Sequence, residues 1–333
     1  DENIIRLYPQ IKQRAINLDR SSINPFKELK TIFQFYKILD QYKPTIVHNF
    51  TIKPILYGSF LGRFYFRKIK LVNSITGLGY AFTNDIFLVK NIIKFLIRIC
   101  VSKNNMQLNF LNKYDKKLYQ SLGRLNDENH NFIKGSGVDN YDFPYKRPKK
   151  KEKLNLIFTG RILKDKGILE LIEAVSILPS ELKAKIILNI YGKIDIENPA
   201  FISEDTLKKL LRPNFIVWHG FSKNIKKVLM NSDIYCLPSY REGLPKSTVE
   251  AMAIGRPILT TNAPGCDDTV KEGINGFKVS VGDVKTLSKK LQILIEDKTL
   301  RIQMGKNSRI FFEEEFTLKK VVKKTFEVYN KVL

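Results

Sequence analysis

A chain of 333 residues is longer than one hydrophobic core ordinarily supports, so two domains are expected. Its 43% hydrophobic and 11% aromatic content can fill two cores and excludes a disordered chain. The formal net charge of +24 points to an anionic partner, and its sign alone leaves nucleic acid, anionic lipid and phosphorylated substrates all open.

In chain order, "PFKELKTIFQFYKILDQY" (25–42) has the apolar period of a helix. Strand-like runs follow at 44–50, 70–77, 106–112 and 131–138, with helical stretches between them. "PYKRPKKKEK" (144–153) is charged, carries two prolines and has no apolar period, so it reads as an exposed interdomain linker with its basic part at 146–153. Beyond it, strands are expected at 154–160, 185–192, 215–221, 233–239, 257–261 and 276–281, again separated by helices. The alternation predicts an α/β protein of two doubly wound, Rossmann-like domains, 1–145 and 154–312. Ligands of such sheets bind at the carboxyl ends of the strands, here in the cleft between the domains.

Cys100, Cys236 and Cys266 show neither metal-ligand spacing nor an even disulfide set, which fits a reducing, intracellular setting. His48, His130 and His219 are isolated as well, so no metal site is expected. The first residues lack the pattern of a secretory signal, and no apolar run reaches the length of a membrane span.

Two stretches carry candidate chemistry. In "FTGRILKDKGILELIEAV" (158–175) a strand ends in a loop with Arg161 and Lys166, and Gly167 opens a helix. Cations beside a helix start form an anion site, because side-chain charge adds to unpaired backbone N–H groups. An ordinary basic loop explains the same residues equally well. In "SYREGLPKSTVEAMAIGRPILTT" (239–261) Glu242 precedes Gly243, Leu244 and Pro245, and Glu250 follows on a short helix. Gly243 allows close backbone approach to a ligand, and a carboxylate at Glu250 suits a vicinal diol such as that of a ribose. The alternative is a solvated Glu242 and an i, i+4 pair of Glu250 with Lys246.

These stretches, with "APGCDDTVKEGINGFKV" (263–279) and "GSGVDNYDF" (135–143), together resemble the retaining glycosyltransferases of family 4, which have the GT-B fold. "NSITGLGYAF" (73–82) and "YGKIDIENPAFIS" (191–203) are similar, more narrowly, to bacterial enzymes that extend lipid-linked oligosaccharides. The resemblance implies that Arg161 and Lys166 hold the donor diphosphate, that Glu250 binds the ribose, and that Glu242 with the amides of Gly243 and Leu244 faces the sugar. Tyr191, Gly192, Gly220 and Phe221 are candidate walls for the base. His48, Lys53, Thr76 and Gly77 are candidates on the acceptor side, with a structural histidine as the alternative for His48.

The implied reaction transfers a hexose or N-acetylhexosamine, with UDP as the expected carrier, onto a polyprenyl-diphosphate-linked glycan in surface polysaccharide or lipopolysaccharide assembly. No cofactor is expected. No Asp-x-Asp pair offers itself to magnesium, so the two cations are expected to replace a metal. By the resemblance, residues 313–333 form a helix packing back towards the amino-terminal domain, and a strand–turn–helix unit is expected ahead of residue 1.

"VKNIIKFLIRICVSK" (89–103) sets Lys90, Lys94 and Arg98 among apolar residues, either as an interfacial helix on anionic lipid or as a core helix with a basic face. The first reading puts the protein at the inner face of the cytoplasmic membrane as a peripheral protein. Two rival functions compete with this reading. An epimerase or hydrolase on the same fold would need an acid/base set that is not evident. A nucleic-acid-binding protein is disfavoured because the cations are scattered and carboxylates lie beside the phosphate grips.

Overall fold

The computed structural model describes residues 9–18, 24–77, 87–101, 106–126, 128–149 and 151–333. Parts of the "NSITGLGYAF" stretch, the end of the helical stretch at 89–103 and Lys150 of the linker lie outside the described residues. Two parallel sheets organise the rest. The first runs β1 (Ile46–Phe50), β2 (Lys70–Ile75), β3 (Met106–Phe110) and β4 (His130–Phe132), in that spatial order. The second holds β5 (Leu154–Thr159), β6 (Ile186–Tyr191), β7 (Ile216–Trp218), β8 (Ile234–Leu237), β9 (Ile258–Thr261) and β10 (Gly276–Val279), in the order β10-β9-β8-β5-β6-β7. All its pairings are parallel.

The second order reverses between β5 and β8. The chain winds from β5 through β6 to β7 on one side, then returns to place β8, β9 and β10 on the other. Loops leaving β5 and β8 therefore border one crevice, the place where doubly wound sheets take ligands. Those are the loops that carry Arg161 and Lys166, and Glu242.

Central strands are buried on both faces, as in β8 and β9, where every residue is buried. That is why they appear in the sequence as continuous apolar runs without alternation. The expected strand 131–138 is shorter in the structure, because Gly135 and Gly137 take left-handed φ angles of 74° and 71°. The run 215–221 is cut for the same reason at Gly220, φ 68°.

Helix α1 (Pro25–Tyr42) starts where Asn24 accepts a hydrogen bond from the Phe26 N–H and Pro25 occupies the first turn. Each sheet has its own apolar core. A third, smaller cluster joins them: Val321 and Val328 of the closing helix (Leu318–Val332) pack on Val72 and Ile133 of the first domain. The linker begins docked on the second domain. The Lys146 N–H donates to the Ile254 carbonyl at 3.0 Å, and the fully buried Arg256 donates to the Lys146 carbonyl at 2.7 Å.

Candidate active site

The loop after β5 makes a single 3-10 turn, Lys164–Lys166, and Gly167 then opens the helix Ile168–Ser176 in left-handed backbone, φ 69°. A Cβ on Gly167 would lie 1.9 Å from the Pro238 carbonyl oxygen, so only glycine lets this turn sit against the end of β8. No side chain caps the helix, leaving its first N–H groups at the crevice. Lys166 projects from the turn and its Nζ lies 2.5 Å from Glu242 Oε1. Arg161, half exposed, pairs with Asp195 at 2.7 Å.

Asp165, between the two cations, was not singled out by the sequence. Burial pushes its carboxyl above the usual range, Lys166 opposes this, and Glu242 adds to it. Its Oδ1 has no hydrogen-bond partner among the described residues.

The loop after β8 is held from both domains. The Glu242 N–H donates to the Pro264 carbonyl at 2.9 Å. Gly243 lies against the first domain, where a Cβ would sit 2.0 Å from the Thr76 carbonyl oxygen. Gly77, φ 124°, follows Thr76 at the end of β2. Leu244 reaches the same domain, since a Cβ on Gly135 would come within 2.9 Å of its Cδ2. Pro245 is the N-cap of the helix Lys246–Ile254 and not part of its first turn.

Glu250 sits one turn into that helix with its side chain 13% exposed, and its ion-pair partner is Lys246 at 3.9 Å. Burial pushes the Glu250 carboxyl above its usual range, and Lys246 only partly offsets this. Such a carboxylate gains from any ligand that offers two hydroxyl donors.

The base-wall candidates cluster at the ends of β6 and β7. The Tyr191 ring stacks on His219 at 4.5 Å and 10°. The Gly192 N–H donates to the Gly220 carbonyl at 2.8 Å, and a Cβ on Gly192 would meet the Gly160 carbonyl oxygen at 1.7 Å. Phe221 is exposed beside them. A cavity of about 460 Å³ opens next to Tyr191, lined also by Asn155, Asn189, Asn224 and Lys227.

Thr76 and Gly77 meet the loop of Glu242, but His48 and Lys53 do not join them through any described contact. His48 lies mid-strand in β1, with Nδ1 2.7 Å from the Tyr329 hydroxyl and Nε2 2.7 Å from Ser74 Oγ. It stacks on Phe50, and burial pushes its pKa down to about 4. These partners match the structural alternative, in which the ring ties the closing helix to the sheet. Lys53 is engaged by Glu28 at 2.7 Å.

Among the described residues, further contacts near the Glu242 loop cross between the domains, none anticipated from sequence. Asn112 Nδ2 donates to the Gly243 carbonyl at 2.9 Å, and Arg241 pairs with the fully buried Asp115. Lys113 meets Asp267 at 3.0 Å, and Lys134 meets Asp268 at 3.6 Å. Among the described residues no group of three or more His, Cys, Asp and Glu side chains is placed to hold a metal ion.

The profile described as "Glycosyl transferases group 1" matches residues 139–311, and that described as "Glycosyl transferase 4-like" matches residues 2–103. Similar proteins include the capsular polysaccharide biosynthesis glycosyltransferase CapM of Staphylococcus aureus, 28% identical across 92% of this chain and 82% of the relative. The N,N'-diacetylbacillosaminyl-diphospho-undecaprenol alpha-1,3-N-acetylgalactosaminyltransferase of Campylobacter jejuni is also 28% identical, across 90% of this chain and 80% of that one. Among solved structures, Anabaena HepE in complex with UDP and glucose superposes with a TM-score of 0.78 at 15% identity, covering 99% of this chain and 88% of that one. The two facing parallel sheets, the switch-point site and these matches together place the chain in the group 1 family of glycosyltransferases, with the GT-B fold.

Proposed function

We propose that the protein moves a hexose or N-acetylhexosamine from a UDP-sugar onto a polyprenyl-diphosphate-linked sugar, with retention of configuration. The observation that carries this is the arrangement at the β5/β8 crevice: Lys166 against Glu242, Arg161 nearby on the same loop, and a largely buried Glu250 whose ion-pair partner among the described residues is Lys246. Arg161 and Lys166 hold the diphosphate and neutralise the charge that grows on it as the glycosidic bond breaks. Glu242 faces the sugar as it gains oxocarbenium character. Glu250 accepts from the ribose hydroxyls.

The names of two relatives support the acceptor class. The Campylobacter enzyme acts on a diphospho-undecaprenol sugar, and so does the Escherichia coli "UDP-Gal:alpha-D-GlcNAc-diphosphoundecaprenol alpha-1,3-galactosyltransferase", 27% identical across 92% of this chain. UDP as carrier is supported by that name and by the UDP held in HepE. Either UDP-N-acetylgalactosamine or UDP-galactose fits these names.

Such an acceptor lies in a membrane, and no described helix is long and apolar enough to cross one. The helix Phe87–Cys100 supplies the surface at which we place the lipid. Ile93, Ile97 and Cys100 turn to the core, while Ile92, Phe95, Leu96 and Ile99 are exposed beside Arg98. Phe64 and Tyr65 extend the exposed apolar patch, and the Arg63 guanidinium ties it together by donating to the Ile99 carbonyl. Exposed aromatic and aliphatic side chains among cations fit the inner, anionic leaflet of the cytoplasmic membrane.

The test is transfer from UDP-N-acetylgalactosamine and UDP-galactose to N-acetylglucosaminyl-diphospho-undecaprenol, followed by release of UDP. A melting shift with UDP runs beside it, since a ligand at 100 times its Kd stabilises by about 2.7 kcal/mol. No shift with UDP and no transfer from either donor would overturn the reading.

A further inference from the structure

The acceptor-side domain grips the residues on both sides of Glu242. The helix Lys113–Ser121 begins at Asn112, whose Oδ1 accepts from the Asp115 N–H at 2.9 Å. That bond fixes the Asn112 amide so that Nδ2 donates both to Asp115 Oδ2, at 3.0 Å, and to the Gly243 carbonyl, at 2.9 Å. The second Asp115 oxygen takes the Arg241 guanidinium. One helix start therefore holds residue 241 through an ion pair and residue 243 through a hydrogen bond, with Glu242 bracketed between them.

The two ends of this bracket depend on each other. Asp115 is fully buried, and burial pushes its carboxyl above the usual range; Arg241 and Asn112 only partly offset this. Among the described residues, the cation that pairs with this charge, Arg241, reaches it when the Glu242 loop, which belongs to the other domain, is seated. Breaking a buried pair by removing one partner leaves an uncompensated charge and is costly. Exposed pairs such as Lys113–Asp267 can add to the seam but cannot enforce it in the same way.

We propose that Asp115, acting through Arg241 and together with Asn112, is a positioning residue for Glu242: it sets the catalytic loop only when the acceptor domain is closed on the donor domain. This rests on Glu242 facing the donor sugar. It adds that an acceptor-domain carboxylate, remote in sequence from the motif, governs where Glu242 stands.

The test uses the full chain with Asp115→Asn, Arg241→Gln, the double variant and Arg241→Lys. Amide hydrogen exchange at 241–244 should quicken at least tenfold in the first two, while residues 186–191 of β6 stay as in wild type. Transfer kcat should fall at least tenfold with the Kd for UDP within twofold of wild type, because Arg161 and Glu250, proposed to meet the diphosphate and the ribose, lie outside the bracketed residues 241–243. The double variant should lose no more than the worse single one, and Arg241→Lys should recover part of kcat. A merely structural pair would lower Tm and raise exchange in both domains, with kcat of the folded protein unchanged; that result overturns the proposal. So does a parallel loss of UDP affinity, or exchange and kcat within twofold of wild type. If the wild-type protein transfers from neither UDP-sugar, the functional reading falls and exchange at 241–244 decides the positioning alone.

Discussion

Replacing Glu250 by alanine should separate nucleotide binding from folding. The side chain is 13% exposed, and its ion-pair partner, Lys246, stands 3.9 Å away with its own side chain 64% exposed. An i, i+4 pair of that kind contributes about 0.3–0.5 kcal/mol. Against it stands the cost of burying the carboxylate, which already holds the group above its usual pKa. Burial outweighs the pair, so Tm should change little or rise slightly. Binding is different. Two hydroxyl donors on one carboxylate are worth about 1.5–3 kcal/mol each, so the Kd for UDP should rise by about 3–6 kcal/mol, or at least a hundredfold. Calorimetric titration with UDP measures this directly, and Glu242→Ala serves as the contrast, with lower kcat and a nearly unchanged Kd. A Glu250→Ala protein binding UDP within threefold of wild type would refute the ribose assignment.

Three other outcomes follow. Transfer should persist in excess EDTA, because Arg161 and Lys166 supply the charge that a divalent ion supplies elsewhere; an absolute need for magnesium or manganese would overturn that role. Changing Lys90, Lys94 and Arg98 together to glutamate should abolish sedimentation with anionic liposomes and leave UDP binding as it is, each lost cation removing about 1 kcal/mol of attraction. Sedimentation equal to wild type would place the lipid elsewhere. His48 has its pKa lowered from 6.5 to about 4 by burial, so the folded ring binds protons less than the unfolded chain. Its contribution to stability is therefore full above about pH 6.5 and is lost as pH falls towards 4, about 1–2 kcal/mol after discounting for a partly exposed ring. His48→Gln should flatten the wild-type minus variant difference in that window, and identical profiles would remove His48 from the account.

Strand positions were legible because the central strands are buried on both faces and appear as unbroken apolar runs, as at 234–237 and 258–261. Strand ends were not, since the runs 131–138 and 215–221 extend past Phe132 and Trp218, where the strands stop ahead of the left-handed Gly135 and Gly220. The switch-point loops were legible for a local reason: Arg161, Lys166, Glu242, Gly243 and Glu250 lie in two short stretches whose spacing carries the pattern. Asp115 was not, because its partner Arg241 is 126 residues away and no local spacing encodes such a pair. Asp165 was visible but lay hidden in a loop read for its cations. The place of His48 depended on Tyr329, a hydroxyl 281 residues along the chain.

Net charge was the least informative number of all, because a sum of +24 says nothing of where the minority carboxylates stand. In the fold five of them each face a cation in or beside the cleft-facing loops: Asp115 with Arg241, Asp195 with Arg161, Glu242 with Lys166, Asp267 with Lys278 and Lys113, and Asp268 with Lys134. Burial then divides these pairs into two kinds. Arg161–Asp195 is half exposed and worth about 0–1 kcal/mol, so a diphosphate can take the arginine at small cost. Arg241–Asp115 has one fully buried partner, and breaking it costs about 3–5 kcal/mol, so no anion arriving in the cleft displaces it. The same chemical pair is thus open to exchange at one position, as the proposed diphosphate grip requires, and fixed at the other, and the difference lies in access to water.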